Sequence, residues 1–419
     1  MSYFNRQGEG AQCRKKTLHY GIAPNTLICK NNSQKPHKDT HLISASTSPT
    51  QIPSPRPELH YWLALWRTPS IGSIRFFELL QVFPQLSALY NAKPAELSAL
   101  GLKAPLIQAI HNPDWAGVKA DLLWSQTPGN HLITWEDPHY PPLLKQITDP
   151  PPILFVTGNP QVLQTPQLAI VGSRNPTATG IDTARQFAIH LSQLGLTITS
   201  GLALGIDAAS HLGALDNNKT TIAVLGCGLD EIYPTRHHQL ARKIIEQGAL
   251  VSEFPIGIGA RAAHFPRRNR LVSGLSLGVL VVEATLRSGS LITARLASEQ
   301  GREVFAIPGS VYNPLARGCH YLIRQGAKLV ETVTDILEEL PMLTPTTEEP
   351  SPSSLKPIEK NSLDAADLQL LECVGYEATS IEQLVARSGM PVQQIISKLL
   401  LLELQGYLVS MPEGYMKCP

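Results

Sequence analysis

Apolar residues change their spacing several times along the chain, and each change marks an element boundary. From Glu58 to Gln126 the spacing is helical: Trp62, Leu65 and Trp66 recur at i, i+3 and i+4, and Phe76, Phe77, Leu79 and Leu80 continue the pattern. Gly72, Pro84, Pro94 and Gly101 interrupt it, so residues 58–126 are predicted to form a compact domain of small helices. Residues 127–160 read as a connector with two proline-rich breaks, Tyr140-Pro141-Pro142 and Asp149-Pro150-Pro151-Pro152. The connector leads into an apolar strand from Ile153 to Val156.

Residues 161–340 alternate short apolar runs with helical patterns. Strands are expected at 168–171, 196–199, 221–225, 277–282, 304–307 and 328–330, with helices at 182–194, 236–247 and 291–300 among those between them. Strands with no polar face, separated by helices, indicate a sheet covered on both sides. The predicted class is therefore α/β, a Rossmann-like doubly wound parallel sheet. Ligands of such sheets sit beyond the carboxyl ends of the strands.

The two ends of the chain differ from this core. Residues 1–57 are polar, rich in Asn, Ser, Thr and Pro, and aperiodic, which reads as a disordered extension. Residues 341–362 are rich in Pro, Ser, Thr and Glu and read as a linker. In residues 363–419, helical patterns over 363–374, 380–388 and 391–405 precede a hairpin pairing 407–409 with 415–417. That order predicts a winged helix, with Lys398 the only basic residue on its recognition helix. A phosphate-anchored DNA reader needs more positive charge, so the module is expected to contact protein.

Composition narrows the function. The chain is 43% hydrophobic and 16% charged, which is globular, and its formal net charge is only +1, so any nucleic-acid surface must come from local clustering. Six scattered cysteines without a CxxC pair argue against a disulfide framework or zinc site and fit a reducing compartment. No apolar run reaches the roughly 18 residues a membrane span needs. The basic N-terminus lacks the apolar segment of a secretion signal, so the cytoplasm is the expected location, with no membrane contact.

Three strand-to-helix loops carry Gly and small hydroxyl residues: Gly172-Ser173-Arg174, Ser200-Gly201 to Asp207, and Glu283 to Thr293 with Ser288-Gly289-Ser290. Glycine lets a phosphate approach the backbone, and the first turn of the next helix offers free N–H groups and the positive end of its dipole. One such loop is ordinary turn geometry, whereas three at one end of a sheet, two carrying arginine, indicate an anion site. Neither GxGxxG nor GxxxxGK[ST] is present, so no dinucleotide or ATP site is expected, and no cofactor. The densest charge is His264-Phe265-Pro266-Arg267-Arg268-Asn269-Arg270, where three arginines supply forked phosphate donors and Phe265 a stacking face.

Together these segments resemble the DNA-processing A (DprA/Smf) family. The resemblance rests on Gly172-Ser173-Arg174, Ser200-Gly201 to Asp207 with His211, Ala223-Val224-Leu225-Gly226 to Asp230, and Tyr233-Pro234. It continues through Ser252-Glu253, Phe265-Pro266 to Arg270, Glu283-Ala284, Ser288 to Ala294, and Ile307-Pro308-Gly309, all in family order. The helical region (SAM or helix-hairpin-helix-like) and the C-terminal module resemble the flanking domains less specifically. The resemblance implies single-stranded DNA binding, protection of incoming DNA, self-association as a homodimer, and loading of a RecA-type recombinase in natural transformation. Carried onto this sequence, it implies phosphate contacts from Arg174, Arg267, Arg268 and Arg270. Gly172, Ser173, Gly201, Phe265, Asn269, Ser288, Gly289, Ser290 and Thr293 would complete the DNA site. His237 stands where the family often has Asn, leaving the contacts of that loop open.

Catalytic readings are weaker. Asp207 and His211 lie at i, i+4 with Ser200 nearby, but the GxSxG elbow of a hydrolase is missing. Asp207 is expected instead to cap a helix and bond His211. The alternative activity is nucleotide cleavage of the LOG phosphoribohydrolase type, whose PGGxGTxxE loop is not reproduced at 283–293 or at Pro308-Gly309-Ser310. No catalytic residue is therefore assigned. His237-His238 and the isolated cysteines lack metal-ligand spacing, so no metal site is expected.

Overall fold

The computed structural model describes residues 58–340, 364–375, 378–411 and 414–417, and the expectations for 1–57 and 341–362 lie outside them. The first helical stretch breaks at its Gly and Pro residues into α1 (Leu59–Arg67), α2 (Ser73–Val82), α3 (Leu86–Asn91), α4 (Pro94–Ala99), α5 (Ala104–His111) and α6 (Trp115–Ser125). The chain continues through β1 (Asn130–Thr134), α7 (Pro142–Lys145) and β2 (Ile153–Gly158). Then come β3 (Gln167–Val171), α8 (Ala178–Gln193), β4 (Thr197–Ser200), α9 (Ile206–Asp216), β5 (Thr221–Val224), α10 (His238–Gln247) and β6 (Ala249–Ser252). The second half of the sheet region holds α11 (His264–Leu275), β7 (Gly278–Val281), α12 (Ser290–Glu299), β8 (Glu303–Ala306), α13 (Arg317–Arg324), β9 (Lys328–Leu329) and α14 (Val333–Glu338).

The nine strands form one sheet in the order β1-β2-β6-β5-β4-β3-β7-β8-β9. From β6 across to β9 the pairs are parallel, as predicted, and strands β3 to β7 are buried along their whole length. The strand expected at 153–156 is β2, but the connector also holds β1 at 130–134, which was not expected. Both extend the sheet antiparallel from β6, with Phe155 opposite Ser252 and Leu132 opposite Phe155. Sequence reading also missed β6 and α11. It placed the start of α8 at 182 instead of 178, where Thr177 caps the helix by accepting from Gly180 N at 3.0 Å.

The strand order reverses between β3 and β7. β3 leads toward β4 on one side, while β7 leads toward β8 on the other, and the crevice between their departing loops is the binding position of doubly wound sheets. The helical layer packs on the opposite half. Trp62, Leu63, Trp66 and Phe76 share one core with Ile153, Phe155, Leu240, Ile244 and Leu250. Trp66 Nε1 donates to Glu253 O at 2.7 Å, and Arg67 Nη2 to Ile256 O at 2.8 Å.

Farther along, α15 (Ala365–Cys373), α16 (Ile381–Ser388), α17 (Val392–Leu404) and the hairpin β10 (Leu408–Met411) with β11 (Gly414–Lys417) form the expected winged helix. It has its own core of Leu370, Val374, Leu384, Ile395, Leu399, Leu402 and Leu408. Among the described residues, no helix is long and apolar enough to cross a membrane.

Candidate nucleic-acid interface

A cavity of about 790 Å³ opens at the strand reversal, lined by the loops after β3, β4 and β7 and by one side of α11. Close approach between these loops requires small residues. Gly201 lies against the Arg268 guanidinium, so a Cβ there would push that buried group off its bond to Val224 O. A Cβ on Gly172 would come within 2.6 Å of Ile206 Cγ1. Ile206 N donates to Ser173 O at 3.1 Å, lacing the first two loops together. Leu202 adopts a left-handed backbone (φ 58°), and its carbonyl pairs with His237 Nδ1 at 2.8 Å, which gives His237 its place.

The β7 loop brings Ser288, Gly289, Ser290 and Thr293 to the cavity at the N-terminus of α12. Ser288 and Ser290 hydroxyls pair at 2.7 Å, and Asn269 Nδ2 donates to Gly289 O at 3.4 Å. Gly289 is the N-cap, with φ −63°, and a Cβ built on it would meet nothing within 4 Å. No fold constraint of this chain therefore requires glycine there.

Within the arginine cluster, α11 separates the side chains by helical phase. Arg268 reaches the pocket as its floor: it is 4% exposed and donates through Nη1 to Val224 O, while Nε has no hydrogen-bond partner. Burial lowers its pKa, opposed by the nearby Asp207. Phe265 and Asn269 also line the cavity. Arg267 and Arg270 do not. Both donate to the buried Glu253 Oε2, at 2.9 and 2.6 Å, and Arg270 Nε lies 3.1 Å from Asp149 Oδ2. The Arg267 guanidinium stands 5.4 Å from the ring centres of both Trp66 and Phe254. Two of the four arginines read as phosphate ligands thus face away from this pocket, because i and i+3 of α11 share the other side.

Arg174 is exposed at the rim, with its guanidinium 5.6 Å from the Phe265 ring centre, and Tyr233 packs on Phe265 at 5.5 Å. Arg261 lines the same cavity and was missed in the sequence, as was the contribution of Tyr233. Arg261 follows a Gly-rich run rather than the arginine cluster, and only the fold of that loop brings it in. Three arginines therefore face one carboxylate, Asp207.

That carboxylate is engaged. Asp207 Oδ2 accepts from Gly201 N at 3.1 Å and Ala203 N at 3.2 Å, and burial raises its pKa against the pull of Arg268. The expected Asp207–His211 bond is absent: His211 Nδ1 pairs instead with Thr221 Oγ1 at 2.7 Å, and Nε2 has no partner. Burial pushes the His211 pKa down to about 3, so the ring is a neutral core group. Ser200 Oγ donates to Ile170 O at 2.6 Å. Glu283 accepts from Thr177 N and Oγ1 at 2.9 and 2.6 Å and anchors the start of α8. No nucleophile–base pair forms from these groups.

On the winged helix, Lys398 is held by Asp364 (3.0 Å) and Asp367 (2.6 Å). Val392, Ile396, Leu400, Leu401 and Leu404 of α17 are exposed.

With this geometry in hand, the comparisons with known proteins agree in one direction. The family described as DNA recombination-mediator protein A matches residues 131–341, taking in β1 and β2, and the DprA winged helix domain matches residues 349–414. Protein Smf of Escherichia coli K12 is 42% identical over 357 residues, covering 85% of this chain and 95% of the relative. DNA processing protein DprA of Streptococcus pneumoniae R6 is 46% identical over 203 residues, 48% of this chain and 72% of that one. The X-ray structure of DNA processing protein A from Streptococcus pneumoniae aligns with a TM-score of 0.60 at 36% identity, covering 67% of this chain and 97% of that one. The chain belongs to the DNA recombination-mediator protein A (DprA/Smf) family.

Proposed function

We propose that the strand-end pocket grips the phosphate backbone of single-stranded DNA and does no chemistry on it. The observation that carries this reading is three arginines and the N-terminus of α12 converging on one cavity whose single carboxylate is bound to backbone N–H groups. A helix N-terminus and guanidinium forks are complementary to phosphate. The cavity is the size of a small-ligand pocket (roughly 300–1,000 Å³), which suits unpaired nucleotides better than a duplex. Phe265 and Tyr233 offer faces on which a free base can stack. Phosphate contacts position a strand without reading it, so binding is tolerant of sequence. The reading includes Gly172, Ser173, Arg174, Gly201, Phe265, Arg268, Asn269, Ser288, Gly289, Ser290 and Thr293.

Family membership supports the further steps: protecting incoming DNA, loading a RecA-type recombinase on the bound strand, and acting as a homodimer in the cytoplasm. The free thiols Cys227 and Cys319 are buried and fit a reducing compartment. Nucleotide cleavage lacks support because Asp207 and Glu283, the carboxylates after β4 and β7, are committed to backbone and loop contacts.

Arg174→Ala tests the binding reading, since the residue is exposed and no fold contact is lost beyond the Phe265 ring. The variant is expected to fold normally and bind single strands more weakly, with a log–log salt slope shallower by about 0.7 per lost phosphate contact. A folded variant with the parent's affinity and slope would remove the pocket from the DNA path.

A further inference from the structure

α11 is a partition. Phe265, Arg268, Asn269 and Val272, at i, i+3, i+4 and i+7, face the strand-end pocket. Arg267 and Arg270 line a second cavity of about 810 Å³ on the other side of the same helix. Its opposite wall comes from the helical layer, where Arg75 lies in the first turn of α2 and Lys103 is the N-cap of α5.

Charge in this second cavity is uneven. Arg267 and Arg270 share one oxygen of Glu253, so that carboxylate offsets one guanidinium of the two, and Asp149 stands against Arg270. Arg75 pairs with Glu78 at 3.0 Å, but both side chains are about half exposed, a screened pair that readily exchanges partners. Lys103 is exposed and has no ion pair among the described residues. The four cations of the lining stand against Glu78, Asp149 and Glu253, an excess of one, and it falls to Lys103 on the open wall. α2 has no side-chain cap and its first turn opens on this cavity, adding backbone donors to the cations, whereas α5 meets the cavity through Pro105, which has no N–H.

We propose that this cavity is a second phosphate subsite on the path of the same DNA strand. The backbone leaving the strand-end pocket crosses α11, a helix about 10–12 Å across, and is held between Arg75, Lys103 and Arg267. The proposal rests on the reading of the first pocket as a single-strand site. It assigns the helical layer a direct share in DNA binding.

The test pairs two probes and two variants. One oligothymidylate is short enough to fill only the strand-end pocket, and the other is several times longer. Arg75→Glu with Lys103→Glu changes two surface residues and leaves Arg267 and Arg270 on Glu253. This double variant is expected to bind the short probe like the parent. On the long probe it should lose about tenfold or more, with a salt slope shallower by about 1.4 for two lost contacts. Arg174→Ala should weaken both probes. A parent-like double variant on the long probe, beside a weakened Arg174→Ala, overturns the second subsite and leaves the first standing; the cavity would then serve an acidic protein. Equal losses on both probes also overturn it, because they signal a change in the overall field. Arg174→Ala without effect on either probe sinks the first reading instead. If the charge reversals unfold the chain, Arg75→Gln with Lys103→Gln carries the same comparison.

Discussion

Two glycines in the first pocket answer to different demands. Gly201 is required by the protein itself, because Arg268 fills the space a side chain would need. Gly289 has ordinary helical backbone and open space, so only a ligand would be obstructed by a side chain. A helical φ/ψ suits Asp at least as well as Gly, and the helix dipole favours a carboxylate in the first turn. Gly289→Asp is therefore expected to match or slightly exceed the parent in thermal stability while losing more than tenfold in single-strand affinity (about 1.4 kcal/mol). Melting curves and salt-titrated binding measure the two halves separately. Parent-like affinity in the folded variant would take the phosphate away from the α12 N-terminus. At this scale the sequence was partly legible. Glycines and arginines marked the loops, but which glycine serves the fold depends on where Arg268 points, and that is fixed by tertiary packing.

At the scale of elements, α11 explains most of what sequence reading misjudged. A run of three arginines in four residues looks like one positive patch, yet a helix distributes them over two sides. Arg268 goes under the pocket, while Arg270, 5% exposed, neutralises the fully buried Glu253. Removing one partner of a buried ion pair costs about 3–5 kcal/mol when it leaves the other charge uncompensated, but Arg267, part-exposed, still holds Glu253. Arg270→Ala is accordingly expected to shift the urea midpoint downward by less than that full cost, with DNA binding lost only as the fold is lost. Undiminished stability with weakened binding would place Arg270 on the DNA surface after all. β6 escaped notice for a related reason. Its four residues, Ala249–Ser252, are too few to show periodicity and follow directly on the C-terminus of α10. β1, with its half-exposed Asn130 and His131, lacked the unbroken apolar signature of the central strands.

For the molecule as a whole, the parallel sheet was legible because strands buried on both faces advertise themselves as apolar runs between helices. The strand order was not legible in the sequence, and the order is what gathers three distant loops and Arg261 into one cavity. The winged helix was readable from its caps and hairpin, and its recognition helix presents neutral apolar residues where a DNA reader would carry cations. Removal of residues 363–419 is expected to leave single-strand affinity within tenfold of the parent, about 1.4 kcal/mol, as measured on the long oligonucleotide. A larger loss would make the module a DNA-binding partner of the sheet.

The core shared between the helical layer and the sheet has a consequence for synthesis. Trp66 must wait for Glu253, 187 residues later, and Arg67 for Ile256, 189 residues later. At 5–20 residues per second this is an interval of roughly 10–40 s on the ribosome. Trp62, Trp66 and Phe76 emerge early, and the sheet face that shares their core is incomplete until Leu250 of β6 is made. The helical layer, made before the sheet, is thus among the last parts to be sealed, and nascent chains spend that interval as clients for any chaperone that binds exposed aromatic surface.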